Sequence, residues 1–315
     1  MKKFLVLILA LALAVAIFAG CQSAAPSADA PAKAATLAGP TGMGMIKMFG
    51  QDEYAIDIYT APDQLSPKII NGEVDIATIP SNLAAVLYNK TDGAIRCVGI
   101  NTMGVLYILE NGDSVNSLGD LSGKTVYATG QGATPEYVLN KILADNGLTD
   151  VTVEYMGNHA DLAGAMASGD VTLAMLPEPF VSTVLSKNAD VAVKIDLNAE
   201  WQAIFGDNVS MPMGVTVVSK EFAENKAAMD KLIADYSASV QYVTGDPATA
   251  AADIAGIGIV PAAPIAQAAI PRCAISFVTG GEAKAMLSAY YEVLFESNPK
   301  SVGGALPDDE FFYMP

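Results

Sequence analysis

Four short stretches carry residue types suited to holding a small polar molecule: AGPTGMGM (Ala38–Met45), TIPSNLAA (Thr78–Ala85), ATGQGATPEY (Ala128–Tyr137) and MLPEPFVS (Met175–Ser182). Each passes from a strand-like run to a helix-like one. Such a turn presents unspent backbone N–H groups and the positive end of a helix dipole. In open α/β sheets, ligands settle outside the carboxyl ends of the strands, where these turns lie. Gly42 and Gly44 weaken any strand or helix that holds them. They are therefore expected to let a ligand approach the backbone, with Met43 and Met45 as adaptable apolar walls. On that expectation Gly44→Val abolishes binding and leaves the fold intact. Glu178 is held between Pro177 and Pro179 at a helix start, where the dipole favours a carboxylate. Facing a ligand it would select an N–H donor such as an amine, an amidine or a protonated ring nitrogen; facing the chain it is only a helix-terminal charge.

Other chemistries lack their parts. His159 is the single histidine and reads as a helix-start residue, so no Ser/His/Asp set extends beyond it, and no carboxylate pair stands out. TGQGAT lacks the Lys-Ser/Thr that completes a phosphate loop. No Cys-x-x-C or Cys/His cluster occurs, so no metal site and no cofactor are expected. The formal charge of −17 argues against nucleic acid, which needs clustered Lys and Arg. The two arginines, Arg96 and Arg272, fall on none of the four turns. A small polar, zwitterionic or heterocyclic ligand is therefore favoured over a dianion.

The elements that position the turns alternate. Strands are expected at Ala35–Gly39, Tyr54–Thr60, Val74–Pro80, Ala94–Ile100, Thr125–Ala128, Val151–Met156, Thr172–Pro177, Val191–Leu197 and from Met213. Helices lie between them, including SPKIING with Ser66 as N-cap, SNLAAVLYNK opened by Ser81 and Asn82, and Ala133–Gly147 capped by Thr134 and ended by Gly147. Alternation of this kind is the mark of α/β architecture with a mostly parallel sheet. From Lys226 onward the chain reads as mainly helical, and VGGALPDDEFFYMP as an extended strap. Trp201 and Phe205 read as core or hinge packing, and Cys97 and Cys273, in apolar runs, as buried free thiols. Residues 36–105 with 214–315 form one expected lobe and 106–213 the other. Two lobes joined by two chain crossings make a hinge.

The first twenty residues are a leader: a Met1-Lys2-Lys3 positive region, an apolar run to Phe18, then small residues before Cys21. Residues 21–35 read as a flexible tether of roughly 20 Å. IFAGC resembles a bacterial lipobox, which implies lipidation of Cys21 and attachment to the membrane by that lipid. Cleavage there removes Lys2 and Lys3 and takes the formal charge from −17 to −19.

The lipobox, GEVDIATIPSNLAAVLYNK (Gly72–Lys90), GVLYILENGDSVNSLGDLSGKTVYATGQGATPEYVLNKIL (Gly104–Leu143) and LAMLPEPFVST (Leu173–Thr183) together resemble an ABC-transporter substrate-binding lipoprotein. The family is the taurine/sulfonate/nitrate/thiamine-pyrimidine type related to NMT1/THI5, and the likeness covers nearly all of the mature chain. It implies a two-lobed type II periplasmic-binding-protein fold with a two-strand hinge. It implies a monomer outside the cytoplasm that captures a small molecule and delivers it to an ABC permease and its ATPase. Carried onto this chain, the family's ligand contacts fall on Thr41, Gly42, Met43, Ser81, Asn82, Thr102, Met103, Gly130, Gln131, Thr134 and Glu178. The alternatives are a same-fold enzyme of pyrimidine or menaquinone-precursor metabolism, or a surface lipoprotein that presents its ligand to a sensor. The iron-binding Cys-rich motif and the histidines of the pyrimidine synthases are absent, so the expectation is a binder and not an enzyme.

Overall fold

The computed structural model describes residues 30–206 and 209–315. The expected leader, Cys21 and the first part of the expected tether lie outside the described residues. From Ala32 the chain forms one compact unit built on two sheets. The first holds β1 (Ala32–Leu37), β2 (Tyr54–Tyr59), β3 (Ile76–Pro80), β4 (Ile95–Thr102), β10 (Gly214–Ser219) and β11 (Ile275–Thr279) in the order β11-β4-β10-β3-β1-β2. The second holds β5 (Leu106–Asn111), β6 (Thr125–Ala128), β7 (Thr152–Tyr155), β8 (Leu173–Pro177) and β9 (Val191–Asp196) in the order β7-β6-β8-β5-β9. In each sheet the strands that feed the four turns run parallel, β1 with β3 and β6 with β8. Their carboxyl ends therefore open on the same side. The strand after each crossing, β5 or β10, runs antiparallel to the neighbouring strand that feeds a turn.

Helices cover both sheets. Before the first crossing come α1 (Pro40–Met43), α2 (Pro62–Ile70) and α3 (Ser81–Lys90). Around the second sheet lie α4 (Thr134–Asp145), α5 (His159–Ser168), α6 (Phe180–Lys187) and α7 (Leu197–Phe205). The return adds α8 (Lys220–Glu224), α9 (Lys226–Gly245), α10 (Pro247–Ile257), α11 (Ala263–Ala269) and α12 (Gly280–Ser297). The two crossings run side by side. The Met213 N–H donates to the Thr102 carbonyl at 2.9 Å, and the Ser81 hydroxyl to the Pro212 carbonyl at 2.6 Å. Trp201 is wholly buried beside this hinge and spends its indole N–H on the Val209 carbonyl at 2.8 Å. Burial of a Trp with its polar edge satisfied is what a packing role requires.

Several local expectations need correction. Strand β1 begins at Ala32, so the last residues assigned to the tether are sheet. Ala34 and Ala35 are buried there, and small side chains in the middle of a covered sheet look like a linker when read singly. Helix α2 begins at Pro62, four residues before Ser66, whose hydroxyl turns back to the Pro62 carbonyl instead of capping. Proline at the first helical position is the stronger start signal. Strand β11 interrupts the mainly helical return and forms the sheet edge beside β4. Its last four residues are half-buried, which hides the strand period. The C-terminal strap is present: Tyr313 donates to the Cys97 carbonyl at 2.8 Å, and Glu310 pairs with Arg96 at 3.2 Å. Cys97 and Cys273 are buried free thiols.

Candidate ligand-binding cleft

Three of the expected site residues, Asn82, Thr134 and Glu178, lie where the two lobes meet, and there the lobes touch each other directly. Thr134, at the start of α4 in the second lobe, donates its hydroxyl to Asn82 Oδ1 of α3 in the first lobe at 2.7 Å. Thr134 thus makes no side-chain cap, because its hydroxyl is spent across the cleft. Asn82 in turn donates to the Ser301 carbonyl at 3.2 Å. Ser81 is fully buried between the second crossing and Tyr291, whose hydroxyl donates to the Ser81 carbonyl at 2.8 Å. Neither Ser81 nor Asn82 caps α3; both tie it to other elements.

Glu178 closes the opposite part of the cleft. Its side chain is fully buried. Its carboxylate accepts from the Ser182 N–H at 3.1 Å, from the Ser182 hydroxyl at 3.0 Å and from Arg272 Nε at 2.5 Å. Burial pushes the Glu178 carboxyl above its ordinary range, and Arg272 pulls against that shift. The N–H donor expected for Glu178 is therefore supplied by the chain itself. Arg272, placed off the cleft by sequence, lies on it: the single turn Ile270–Arg272 precedes β11, and its guanidinium reaches from the first lobe to the second. The sequence offered one signal, an arginine flanked by proline and a buried cysteine just before a strand.

Arg272 is fixed from both sides of the hinge. Its carbonyl accepts from the Tyr107 hydroxyl at 3.1 Å, and the Ala274 carbonyl accepts from the Met103 N–H at 3.1 Å. Ala274 sits at φ 44°, in the left-handed region that costs a residue with a Cβ. Cys273 Sγ lies 3.8 Å from Met43 Sδ. The turn after β1, the first crossing and the turn after β8 thus converge on the segment 272–274. The first and fourth turns also approach directly, since a Cβ on Gly39 would stand 3.7 Å from Pro179 Cδ.

The first turn behaves differently from the expectation. Met43 and Met45 are wholly buried in the core of the first lobe with Tyr236 and Ile275, so they are not walls of an open cleft. A Cβ on Gly42 would meet the Leu37 carbonyl at 2.8 Å, and one on Gly44 the Tyr236 hydroxyl at 3.1 Å. The chain's own atoms fill the space that the glycines leave. Gly44→Val would therefore disturb the core and cannot isolate binding. Thr41 bonds to the Leu37 carbonyl at 3.2 Å, and Thr102 to Asn101 at 3.0 Å. Gly130 takes φ 80° and Gln131 is exposed beyond it.

His159 opens α5 as expected, with Asn158 as its cap. Its Nδ1 is hydrogen-bonded to the Thr129 hydroxyl at the end of β6, and its ring lies 5.3 Å from that of Phe180. Burial pushes its pKa down to about 4, so the imidazole is neutral at pH 7. Among the described residues no group of three or more His, Cys, Asp or Glu is arranged to hold a metal, and no helix is long and apolar enough to cross a membrane.

The family model described as "Menaquinone biosynthesis" matches residues 45–267. No curated protein matches the chain. Among solved structures, an ABC transporter protein from Parabacteroides distasonis superposes with a TM-score of 0.78 at 25% identity, over 91% of this chain and 99% of that one. The periplasmic aliphatic sulphonate binding protein SsuA from Escherichia coli superposes with a TM-score of 0.71 at 17% identity, over 91% and 92%. The alkanesulfonate-binding protein SsuA from Xanthomonas axonopodis pv. citri, bound to MOPS, gives 0.65 at 16% identity, over 90% and 96%. These likenesses show the two-lobed periplasmic-binding-protein fold, the architecture expected of the sequence.

Proposed function

The chain belongs to the family described as Menaquinone biosynthesis, and we propose that within it this protein is a solute-binding component of an ABC importer. It captures a small molecule between its lobes outside the cytoplasm and delivers it to a membrane permease powered by an ATPase. The observation that carries this reading is the meeting of turns from both lobes, Asn82 with Thr134 and Arg272 with Glu178. Residues of opposite lobes placed this way can report a ligand's presence to the whole molecule. The likeness to an ABC transporter protein over nearly all of both chains supports it further. We assign residues 214–315 and those up to 105 to one lobe, now beginning at Ala32, and 106–213 to the other. Lipidation of Cys21 would hold the protein at the membrane as a monomer on a flexible tether.

Capture proceeds by hinge closure about the paired crossings. Closure follows ligand only if the ligand interacts better with the closed form than with the open one. The ligand contacts proposed are Thr41, Gly42, Met43, Ser81, Asn82, Thr102, Met103, Gly130, Gln131, Thr134 and Glu178. Met43 is wholly buried and would shape the first turn from beneath, Asn82 and Thr134 would exchange a partner in the other lobe, and Glu178 would act through Arg272.

The second reading, a same-fold enzyme of menaquinone-precursor metabolism, is favoured by the family's description. The cleft offers it little proton chemistry, with Glu178 already paired and His159 neutral and bonded to Thr129. A thermal-shift screen of sulfonates, nitrate, pyrimidines, amines, amino acids, vitamins and aromatic acids, with mass spectrometry of each hit, separates the two. A ligand at 100 times its dissociation constant adds about 2.7 kcal/mol, a rise of roughly 5–10 °C for a chain of this size. A hit recovered unchanged is the expected result; conversion of the hit would replace the binder with the enzyme.

A further inference from the structure

The guanidinium of Arg272 is only half spent. Its Nε donates to Glu178 Oε1 at 2.5 Å and its Nη2 to the Ser182 hydroxyl at 2.8 Å. These two atoms form the side edge of the planar group. A guanidinium carries five N–H donors, and among the described residues the other three, along the Nη1/Nη2 end, meet no protein acceptor. The two partners differ sharply in access: Glu178 has 0% side-chain exposure and Arg272 34%. Water, or a ligand, therefore reaches the arginine and not the glutamate. The same arginine sits where the first turn, the first crossing and the fourth turn converge, through Cys273–Met43, Ala274–Met103 and its own bond to Glu178. The other arginine, Arg96, is committed elsewhere, to Glu310 and the Gly93 carbonyl.

We propose that Arg272 is the ligand-recognising cation of the cleft, that its free Nη1/Nη2 end takes a carboxylate or sulfonate of the ligand, and that Glu178 and Ser182 position it by holding the opposite edge. This deepens the binding reading and rests on it. The free end offers two parallel N–H donors, the fork that matches two oxygens of a planar or tetrahedral anion. A lysine could not reproduce that fork. Glu178 gives the guanidinium one orientation before ligand arrives, so less ordering entropy is lost on binding. The acidic chain as a whole then admits an anion through one placed cation, and the ligand is expected to carry a single acid group on an otherwise uncharged body. The sequence pointed the other way, because Arg272 comes from the helical return and falls on none of the four turns.

The test is a matched panel on the purified protein, read by thermal shift and by titration calorimetry. Aliphatic and aromatic carboxylates and sulfonates are each paired with their amide or sulfonamide. The expected result is that at least one acid binds and its amide does not, with affinity falling about 10- to 100-fold in Arg272→Lys, the span of one charged hydrogen bond. Arg272→Gln alone strands a buried carboxylate, so Glu178→Gln/Arg272→Gln serves as the folded control, and it should bind no acid. Ser182→Ala, which loosens the guanidinium without removing it, should weaken binding and leave the preference for acid over amide. Equal affinity of acid and amide, undiminished acid binding in the double variant, or no response to any acid would overturn the proposal. Binding of uncharged members independent of Arg272 would sink it while leaving the solute-binding reading standing. Conversion of a bound acid would do the reverse.

Discussion

Burial holds the His159 imidazole near pKa 4, well below the value of about 6.5 it has in an unfolded chain. The unfolded state therefore binds the extra proton first as pH falls. The stability that neutral His159 contributes is complete above about pH 6.5 and is lost as pH drops from there towards 4, by about 2–3 kcal/mol in all. His159→Gln removes this titration and keeps a partner for Thr129. Urea melts at a series of pH values should show the native protein losing that much stability relative to the variant between pH 7 and 4; a constant difference would mean that the ring is not protected from protonation. At this scale the sequence was legible in part. The roles of His159, Trp201 and the two cysteines follow from residue type and flanks alone. The partners of Thr134, Asn82 and Glu178 do not, because each partner lies in the other lobe, from 52 to 94 residues away. Residue type revealed that these side chains were worth placing, while only the fold could show that they meet one another.

Two glycines mark how tightly the crossings pack. A Cβ on Gly104 would stand 2.5 Å from Asn198 Cβ and 2.6 Å from Met211 Cε, and one on Gly214 would stand 2.5 Å from Asn101 Oδ1. Neither glycine needs a left-handed backbone, so the demand is for space. The first crossing abuts the start of α7 and the second crossing abuts β4. Gly104→Ala should cost about 1–3 kcal/mol, the usual penalty of overpacking, seen as a lower urea midpoint with unchanged slope. No loss would mean that the crossings have slack and are not a closely fitted hinge. Strands and helices of the alternating region were readable because each has a clean period and a turn signal. The errors fell where that signal is weak. Strand β1 opens on small alanines, α2 carries a proline at both its start and its middle, and β11 is a short, half-buried edge. The glycines of the first turn misled for a different reason. Packing against Leu37 and Tyr236 and approach of a ligand both call for a missing side chain, and sequence cannot tell which neighbour fills the space.

Taken whole, the molecule is two α/β lobes on paired crossings, joined by a shared apolar core and by polar contacts that involve residues assigned to the site. That arrangement sets a competition. A ligand entering the cleft must replace or supplement the Thr134–Asn82 and Glu178–Arg272 contacts, and must favour the closed form by more than they already do. The two-lobed plan was foreseeable from alternation and from the resemblance, since both follow local signals repeated along the chain. The contacts across the cleft were not, because each joins residues far apart in the chain. Small-angle scattering from the purified protein, with and without a hit from the thermal-shift screen, reads lobe closure itself. Capture by closure requires a larger radius of gyration without ligand and a fall when ligand is added. An identical scattering curve in the two conditions, with binding confirmed by calorimetry, would contradict capture by closure between the lobes.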